Sequence, residues 1–401
     1  MSARHLLAAG PTGRILLNGT GSDHDAHVAR WGPLPHPRLD EVLATVAECG
    51  LVGRGGAGFP TATKVRAVSE GRRRPVVVGN AMEGEPLSSK DAVLLARSPH
   101  LVLDGLEVLA WALRARRSVL ALGPEVDAAP VRAAAHGRSV RVSQLTGGFV
   151  AGQETALVNQ LCGGPSVPRD PFTRVTERGV DGRPTLVLNV ETLAHLALAV
   201  RLGPDWYRAA GTTDEPGSSL FTISGSVRHP GVVEAARGSR LLDVLTPAEP
   251  MRPAAVLVGG YHGAWVPASH LEVRLAAAEL APYRAAVGAG VLHVLDDGTC
   301  PIVFAAEVTA YLAGQSARQC GPCLNGLPHL AADLARLAAG VRDPSLPAEI
   351  QRMGELVTRR GACAHPDGSA RFVASTLDVF RGHVGAHLEG WCPTGRRRTA
   401  S

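Results

Sequence analysis

GRGGAGFPTATK, Gly53 to Lys64, is the stretch on which the reading of this chain turns. Its first six residues include four glycines, and an aromatic residue, a proline and a lysine follow. Without Cβ atoms in the way, such a backbone can come close to a phosphate or a ring system, and positive φ costs it little. A second run, VVVGNAMEGEPLSSKD from Val76 to Asp91, reads as a strand that breaks at Gly79-Asn80 into a loop carrying Glu83 and Glu85. Carboxylates just after a strand stand where open α/β sheets bind ligands, although a solvated acidic turn looks the same in sequence. Of the 41 Lys and Arg residues only Lys64 and Lys90 are lysines, and both fall in these two runs. An ammonium is a compact point charge suited to phosphate or a partly buried pair. Codon bias with two chance survivors is the alternative.

Around these runs the chain alternates strand and helix. Strand candidates are Val76–Gly79, Ser118–Leu122, Ser139–Val142 and Thr185–Leu188. Helical patterns cover Ser89–Leu113 (broken near Pro99), Gly152–Leu161 and Glu191–Leu202. That alternation predicts an α/β domain with a parallel or mixed sheet. The Gly-, Pro- and His-rich first thirty-odd residues read as an irregular lead-in. After the Asp214–Gly217 linker come strands at Leu220–Val227, Val232–Ala235 and Ala254–Val258 and a short helix at Ser239–Leu245, a small α+β module. From Ile302 the pattern is helical, over Ile302–Ser316, Leu327–Ala339, Ala348–Arg359 and Ala370–Leu388, which predicts a small bundle.

Composition narrows the function classes. The net charge is +5, but the basic residues are scattered apart from Arg72–Arg74 and a tail at Arg396–Arg398. No basic face interleaved with aromatics appears, so nucleic acid is not an expected partner. The most apolar segment, Leu101–Leu113, holds Asp104 and Glu107 and is too short to span a bilayer, and no signal peptide is apparent. The expectation is a cytoplasmic protein. Seven unevenly placed cysteines point away from a disulfide framework and toward metal or redox chemistry. Cys320-Gly321-Pro322-Cys323 and Cys363 supply three thiols for zinc or an iron–sulfur cluster, or are small core residues. A third constellation, Gly147–Leu157 with Asn189–Thr192, places Gln153, Glu154 and Thr155 at a helix start, where anions bind or caps form.

Taken in this order, GRGGAGFPT, GNAMEGEP, AGQETAL, PTLVLNVETL, FTISGSVRHPGV and CGPC with Cys363 resemble the NADH-oxidising flavin subunit of respiratory complex I and related diaphorase subunits. The resemblance runs from about Leu39 to about Leu388. It implies an FMN-binding α/β domain over 1–215, a ubiquitin-like β-grasp module over 216–295 and a helical iron–sulfur bundle over 296–401. It implies FMN, NAD(H) and a 4Fe–4S or 3Fe–4S cluster as cofactors. Electrons would pass from NADH through FMN to the cluster and on to a ferredoxin-like, thioredoxin-like 2Fe–2S or quinone-reductase partner. By motif position, Gly53, Gly55, Gly56 and Gly58 line flavin and dinucleotide, Phe59 packs on NADH, and Lys64 meets flavin phosphate or ring atoms. Asn80, Glu83 and Glu85 face the flavin–nicotinamide region, with Glu85 as the candidate catalytic residue. Glu154 contacts the dinucleotide, Asn189 and Thr192 hold the FMN phosphate end, and Cys320, Cys323 and Cys363 ligate the cluster. Lys90 has no assigned ligand contact and is a candidate partner for Asp91 or a helix end.

The chain departs from the family pattern. Ala317 stands at the first cluster cysteine. Cys300 is a poor substitute, because a helix over Ile302–Ser316 separates the two points by roughly 20 Å; His365 is the better candidate. Met82 replaces an aspartate, Leu87 a glycine, Gln153 a glutamate, Phe149 a tyrosine and Leu188 an asparagine. These changes leave open an alternative, a descendant that keeps the fold as an electron-relay or interaction module without full NADH oxidation.

Overall fold

The computed structural model describes residues 15–169 and 172–395. The basic tail at Arg396–Arg398 and most of the opening lead-in lie outside the described residues. The chain divides into two compact units. One takes the residues up to Thr222 together with 231–239 and 288–290, and the other takes the rest.

The first unit runs α1 (His24–Trp31), α2 (Leu39–Cys49), α3 (Thr61–Ser69), β1 (Val76–Ala81), α4 (Lys90–Arg97), α5 (Pro99–Ala112), β2 (Arg117–Leu122), α6 (Ala128–Ala134), β3 (Val140–Gln144), α7 (Glu154–Leu161), β4 (Thr185–Asn189) and α8 (Val190–Arg208). It also holds β5 (Ser218–Gly225) as far as Thr222, and β6 (Gly231–Ala236). The sheet has the order β3-β2-β1-β4, and every pairing is parallel. Because strand side chains alternate between faces, β1 sends Val77 and Ala81 into one hydrophobic core and Val76 and Val78 into another. β4 does the same with Leu186 and Leu188 against Val187. Burial on both faces is what a parallel sheet requires, and it explains the near-continuous aliphatic runs.

Two helix boundaries follow from proline. Ser98 leaves helical geometry (φ −136°, ψ 51°) and Pro99 opens α5, so α4 and α5 are separate. α8 kinks at Gly203 (φ 84°) before Pro204. One expectation fails: part of the lead-in is helical. Asp23 accepts the Ala26 amide at 3.0 Å and so starts α1, whose His27 meets the buried Asp104 at 2.7 Å.

The second unit contains β7 (Pro253–Val258), antiparallel both to β8 (Ala264–Pro267) and to β9 (Val291–Asp296), with short helices α9 (Leu241–Leu245) and α10 (Ala277–Leu280). It continues with α11 (Pro301–Gly314), α12 (Leu327–Ala338), α13 (Leu346–Val357), α14 (His365–Val379) and α15 (Arg381–Leu388). The leucine stripe of α12 is fully buried, as its three- and four-residue spacing requires. The helix expected over Ala370–Leu388 starts earlier and breaks at Phe380 (φ −109°, ψ 37°), whose ring packs on buried Trp265 with centroids 5.4 Å apart. Trp265 donates its indole N–H to Thr376 Oγ1 at 3.0 Å and accounts for a strand, β8, that periodicity did not reveal.

Candidate functional site

The carboxyl ends of β1 and β4 are neighbours, with Asn80 registered opposite Asn189. β2 and β3 lie on the other side of β1, so this is where the strand order reverses, the crevice in which doubly wound sheets take ligands.

The glycine loop lies at the same place. Gly53 donates its amide to the Phe59 carbonyl (2.9 Å), and Thr61 donates to Leu51 (3.0 Å), closing the loop at its base. Arg54 fastens it inward: its amide donates to Thr192 Oγ1 (2.9 Å) and its buried guanidinium to the Tyr207 hydroxyl (2.9 Å). Residues 54–57 form a turn, and among the described residues the amides of Gly55, Gly56, Ala57 and Gly58 make no short, well-aligned backbone bond. Gly56 (φ +103°) and Gly58 (φ +61°) adopt backbone that other residues strain to reach, and a Cβ on Gly58 would meet nothing within 4 Å. Beside them Phe59 is 51% exposed, a large apolar face left open. Adjacent amides in a glycine-rich bend are the geometry that anion sites use.

Charge is layered beneath that cradle. Lys64 reaches the Val187 carbonyl on β4 (2.9 Å) and pairs with Glu154 (2.7 Å). Deeper, the Lys90 ammonium meets Asp91 at 2.7 Å and Glu191 at 2.8 Å, with Asn189 Oδ1 at 3.4 Å. Burial alone would lower the Lys90 pKa, but Asp91, Glu191 and Glu83 outweigh it and hold it above the usual lysine range. Glu191 also accepts the Leu220 amide (2.9 Å).

The acidic loop divides its work. Glu83 accepts from the Ser88 hydroxyl, the Asp91 amide (3.2 Å) and the Ala92 amide (3.4 Å), so it caps the start of α4. Burial, then Asp91, pushes its pKa up. Glu85 is 9% exposed and accepts the Leu87 amide at 3.2 Å. Asn80 bridges two loops, donating to the Gly152 carbonyl (2.9 Å) and accepting from the Met82 amide (3.0 Å). Asn189 caps α8 through the Glu191 amide (3.0 Å) and donates to Asp91 (2.6 Å). Gln153, where the family has an acid, caps α7 by accepting from Thr155 (2.8 Å) and Ala156 (2.9 Å). All the residues proposed from sequence for the flavin site belong to this one unit. Asn80, Glu83, Asn189 and Thr192 form its supporting frame; Gly55, Gly56, Gly58, Phe59 and Lys64 present the cradle. Sequence alone did not single out Arg54 and Glu191, whose roles depend on partners far along the chain.

The thiol group lies in the second unit. Cys323 sits in a wide turn, Pro322–Gly326, closed by the Leu327 amide on the Pro322 carbonyl; such turns recur at functional positions. Burial, then neighbouring Cys320 and Cys363, pushes the Cys323 thiol up to about 12. The three thiols interact with one another, and thiolates are the donors an iron–sulfur cluster takes, but among the described residues these three sulfurs do not all lie within 4.8 Å of one another. The fourth corner has Ala317, and His365 is committed elsewhere: Nε2 donates to the Leu312 carbonyl (2.9 Å) and Nδ1 accepts from His262 (3.1 Å).

Comparison with known proteins matches both parts of the chain to known regions. Residues 46–198 match the Nuo51 FMN-binding domain, and residues 303–387 the NADH-ubiquinone oxidoreductase-F iron-sulfur binding region. The second F-type subunit of the NADH-quinone oxidoreductase of Rhizobium meliloti is 31% identical over 377 residues, covering 87% of this chain and 89% of the relative. The F-type subunit of the Streptomyces coelicolor enzyme is 32% identical, covering 88% and 84%. A crystal structure of NAD+-reducing NiFe-hydrogenase in the H2-reduced state superposes with TM-score 0.81 at 32% identity, over 87% of this chain and 63% of that one. The chain therefore belongs to the NADH-quinone oxidoreductase-F family.

Proposed function

We propose that this chain is an NADH-oxidising flavoprotein subunit that passes electrons from FMN to an iron–sulfur cluster and on to a partner subunit. The observation that carries the proposal is the cradle: the Gly55–Gly58 bend, with Gly55 against Asn189 at the end of β4, is followed by an exposed Phe59, and Lys64 reaches β4. FMN, when bound, supplies the step nicotinamide cannot, because it accepts two electrons together and releases them singly. The loop amides and Lys64 bind and orient the flavin's anionic and polar atoms. Phe59 offers a face for a planar ring and excludes water from it. Glu85 stands at the loop as the residue closest in role to the reacting end. Lys90 and Glu191 hold the floor rigid, so the cradle is set before the ligand arrives.

The middle segment, 216–295, is read as a β-grasp module and 296–401 as a cluster-bearing bundle, supported by the strand and helix order and by the iron–sulfur region match. Cys320, Cys323 and Cys363 hold the cluster. The partner is a ferredoxin-like or thioredoxin-like 2Fe–2S subunit, in keeping with relatives that are named as subunits of larger enzymes. No helix among the described residues is long and apolar enough to cross a membrane. A cytoplasmic location agrees with the free cysteines. Titrating flavin-free protein with FMN tests the binding step: saturable quenching of flavin fluorescence supports it, and its absence rejects it.

A further inference from the structure

Away from both sites, three ligating side chains of the second unit converge. The Cys300 sulfur, a ring nitrogen of His387 and the Cys392 sulfur all lie within 4.8 Å of one another. Cys300 and His387 are 3% and 2% exposed, and Cys392 is half-buried at the turn after α15. The His387 ring is already set for a metal. Its Nδ1–H donates to the Leu337 carbonyl (3.1 Å), and Nε2 lies 3.3 Å from the Cys300 sulfur. A second ring nitrogen held by a carbonyl is the usual support of a metal-binding histidine. Cys300 is the N-cap residue of α11.

We infer that Cys300, His387 and Cys392 form a structural Zn2+ site, separate from the cluster cysteines, with a water at the fourth position. Two sulfurs and an imidazole suit zinc and exclude the oxygen-seeking Mg2+ and Ca2+. A tetrahedral ion with Zn–S near 2.3 Å spaces its ligand atoms by roughly 3.5–3.8 Å, so the observed group needs only small side-chain rotations. Binding forms two Zn–S bonds and one Zn–N bond and releases the two thiol protons to solvent. The ion ties the start of α11 to the end of α15, and His387 links it to α12, fastening a terminal helix that otherwise frays.

Metal analysis of the full-length protein, purified anaerobically under reducing conditions, tests the site. Wild type and Cys363→Ser are expected to hold about one zinc per chain, while Cys392→Ser, altered at a half-buried position, loses it. A chelator should lower the melting temperature of wild type and leave that of Cys392→Ser unmoved. Zinc absent from wild type, or unchanged in Cys392→Ser, overturns the inference. So does an intact mass two hydrogens lighter with Cys300 and Cys392 linked, which would make the pair a disulfide. If Cys392→Ser does not fold, Co2+ added to zinc-depleted wild type decides: thiolate-to-cobalt absorption supports the site, and its absence rejects it.

Discussion

The Lys90 ammonium lies 2.8 Å from the Glu191 carboxylate, and both residues are at most 3% exposed. They are 101 positions apart in sequence and join the start of α4 to the first turn of α8 directly below the glycine loop. Glu191 also faces Arg54 at 3.9 Å, so the same carboxylate underlies the loop's own anchor. Removing the cation leaves two buried carboxylates with the Asn189 and Leu220 amide donors and, at 3.9 Å, Arg54 to offset them. Lys90→Met is expected to cost about 3–5 kcal/mol in urea unfolding, as when one partner of a buried pair is deleted. Lys90→Met with Glu191→Gln should recover part of that loss.

Lys64 is a different kind of cation. Its pair with Glu154 is only partly covered, with side-chain exposures of 22% and 33%, so the pair adds less than about 1 kcal/mol to stability. Lys64→Gln is therefore expected to leave the melting curve nearly unchanged while FMN affinity falls by about tenfold or more, the factor carried by some 1.4 kcal/mol of lost ligand contact. Equal losses in both measurements would place Lys64 in the frame and not in the cradle.

Gly58 separates backbone from side-chain effects. At φ +61° an alanine costs roughly 1–2 kcal/mol of strain. Its methyl would point into open space and meet no protein atom within 4 Å, so any further loss is felt by the ligand. Gly58→Ala should weaken FMN binding beyond what its stability loss explains, as read by paired denaturation and flavin titration.

Glu234 on β6 gives a pH signature. It is 1% exposed, and burial pushes its carboxyl up to about 7, although Ser218 (2.7 Å) and the Leu16 amide (2.8 Å) donate to it. A folded-state pKa above the unfolded value means that the native protein binds the extra proton. Its contribution is fully present below the unfolded value near 4.5 and is lost as pH rises to about 7. The loss amounts to about 3 kcal/mol at roughly 1.36 kcal/mol per pKa unit. Glu234→Gln should flatten the fall of unfolding free energy over that range.

Much of this was legible before any coordinates. The aliphatic runs and the break near Pro99 mark most of the first sheet and its helices, because their causes are local, while α8 continues past the expected end at Leu202 through a kink at Gly203. The glycine loop and the Cys320–Cys323 pair announce themselves as motifs. What stayed hidden depends on partners distant in sequence. Arg54 meets Thr192, Lys90 meets Glu191, and Cys300 meets His387 only after the chain has folded. Glu83 and Asn189 carry residue types suited to a ligand, yet here they cap helices, and sequence cannot separate the two uses. β8 is a four-residue strand held by Trp265 and the Ser375–Thr376 hydroxyls, with no periodicity of its own.

The open corner of the cluster makes a further expectation. On the proposal that Cys320, Cys323 and Cys363 hold three corners and Ala317 stands at the fourth, wild type is expected to show the EPR signal of a three-iron or a non-cysteine-ligated centre. Ala317→Cys should convert it to that of an all-cysteine 4Fe–4S cluster. Identical spectra from both would place the fourth ligand elsewhere.

The most direct test of the central claim, that the Gly53–Phe59 bend cradles a flavin able to accept electrons from NADH, is an anaerobic absorption spectrum of the FMN-loaded protein before and after NADH is added. Rapid bleaching of the flavin band is the predicted result. A flavin that binds but keeps its full absorbance with excess NADH, or a protein that retains no flavin, would contradict the account.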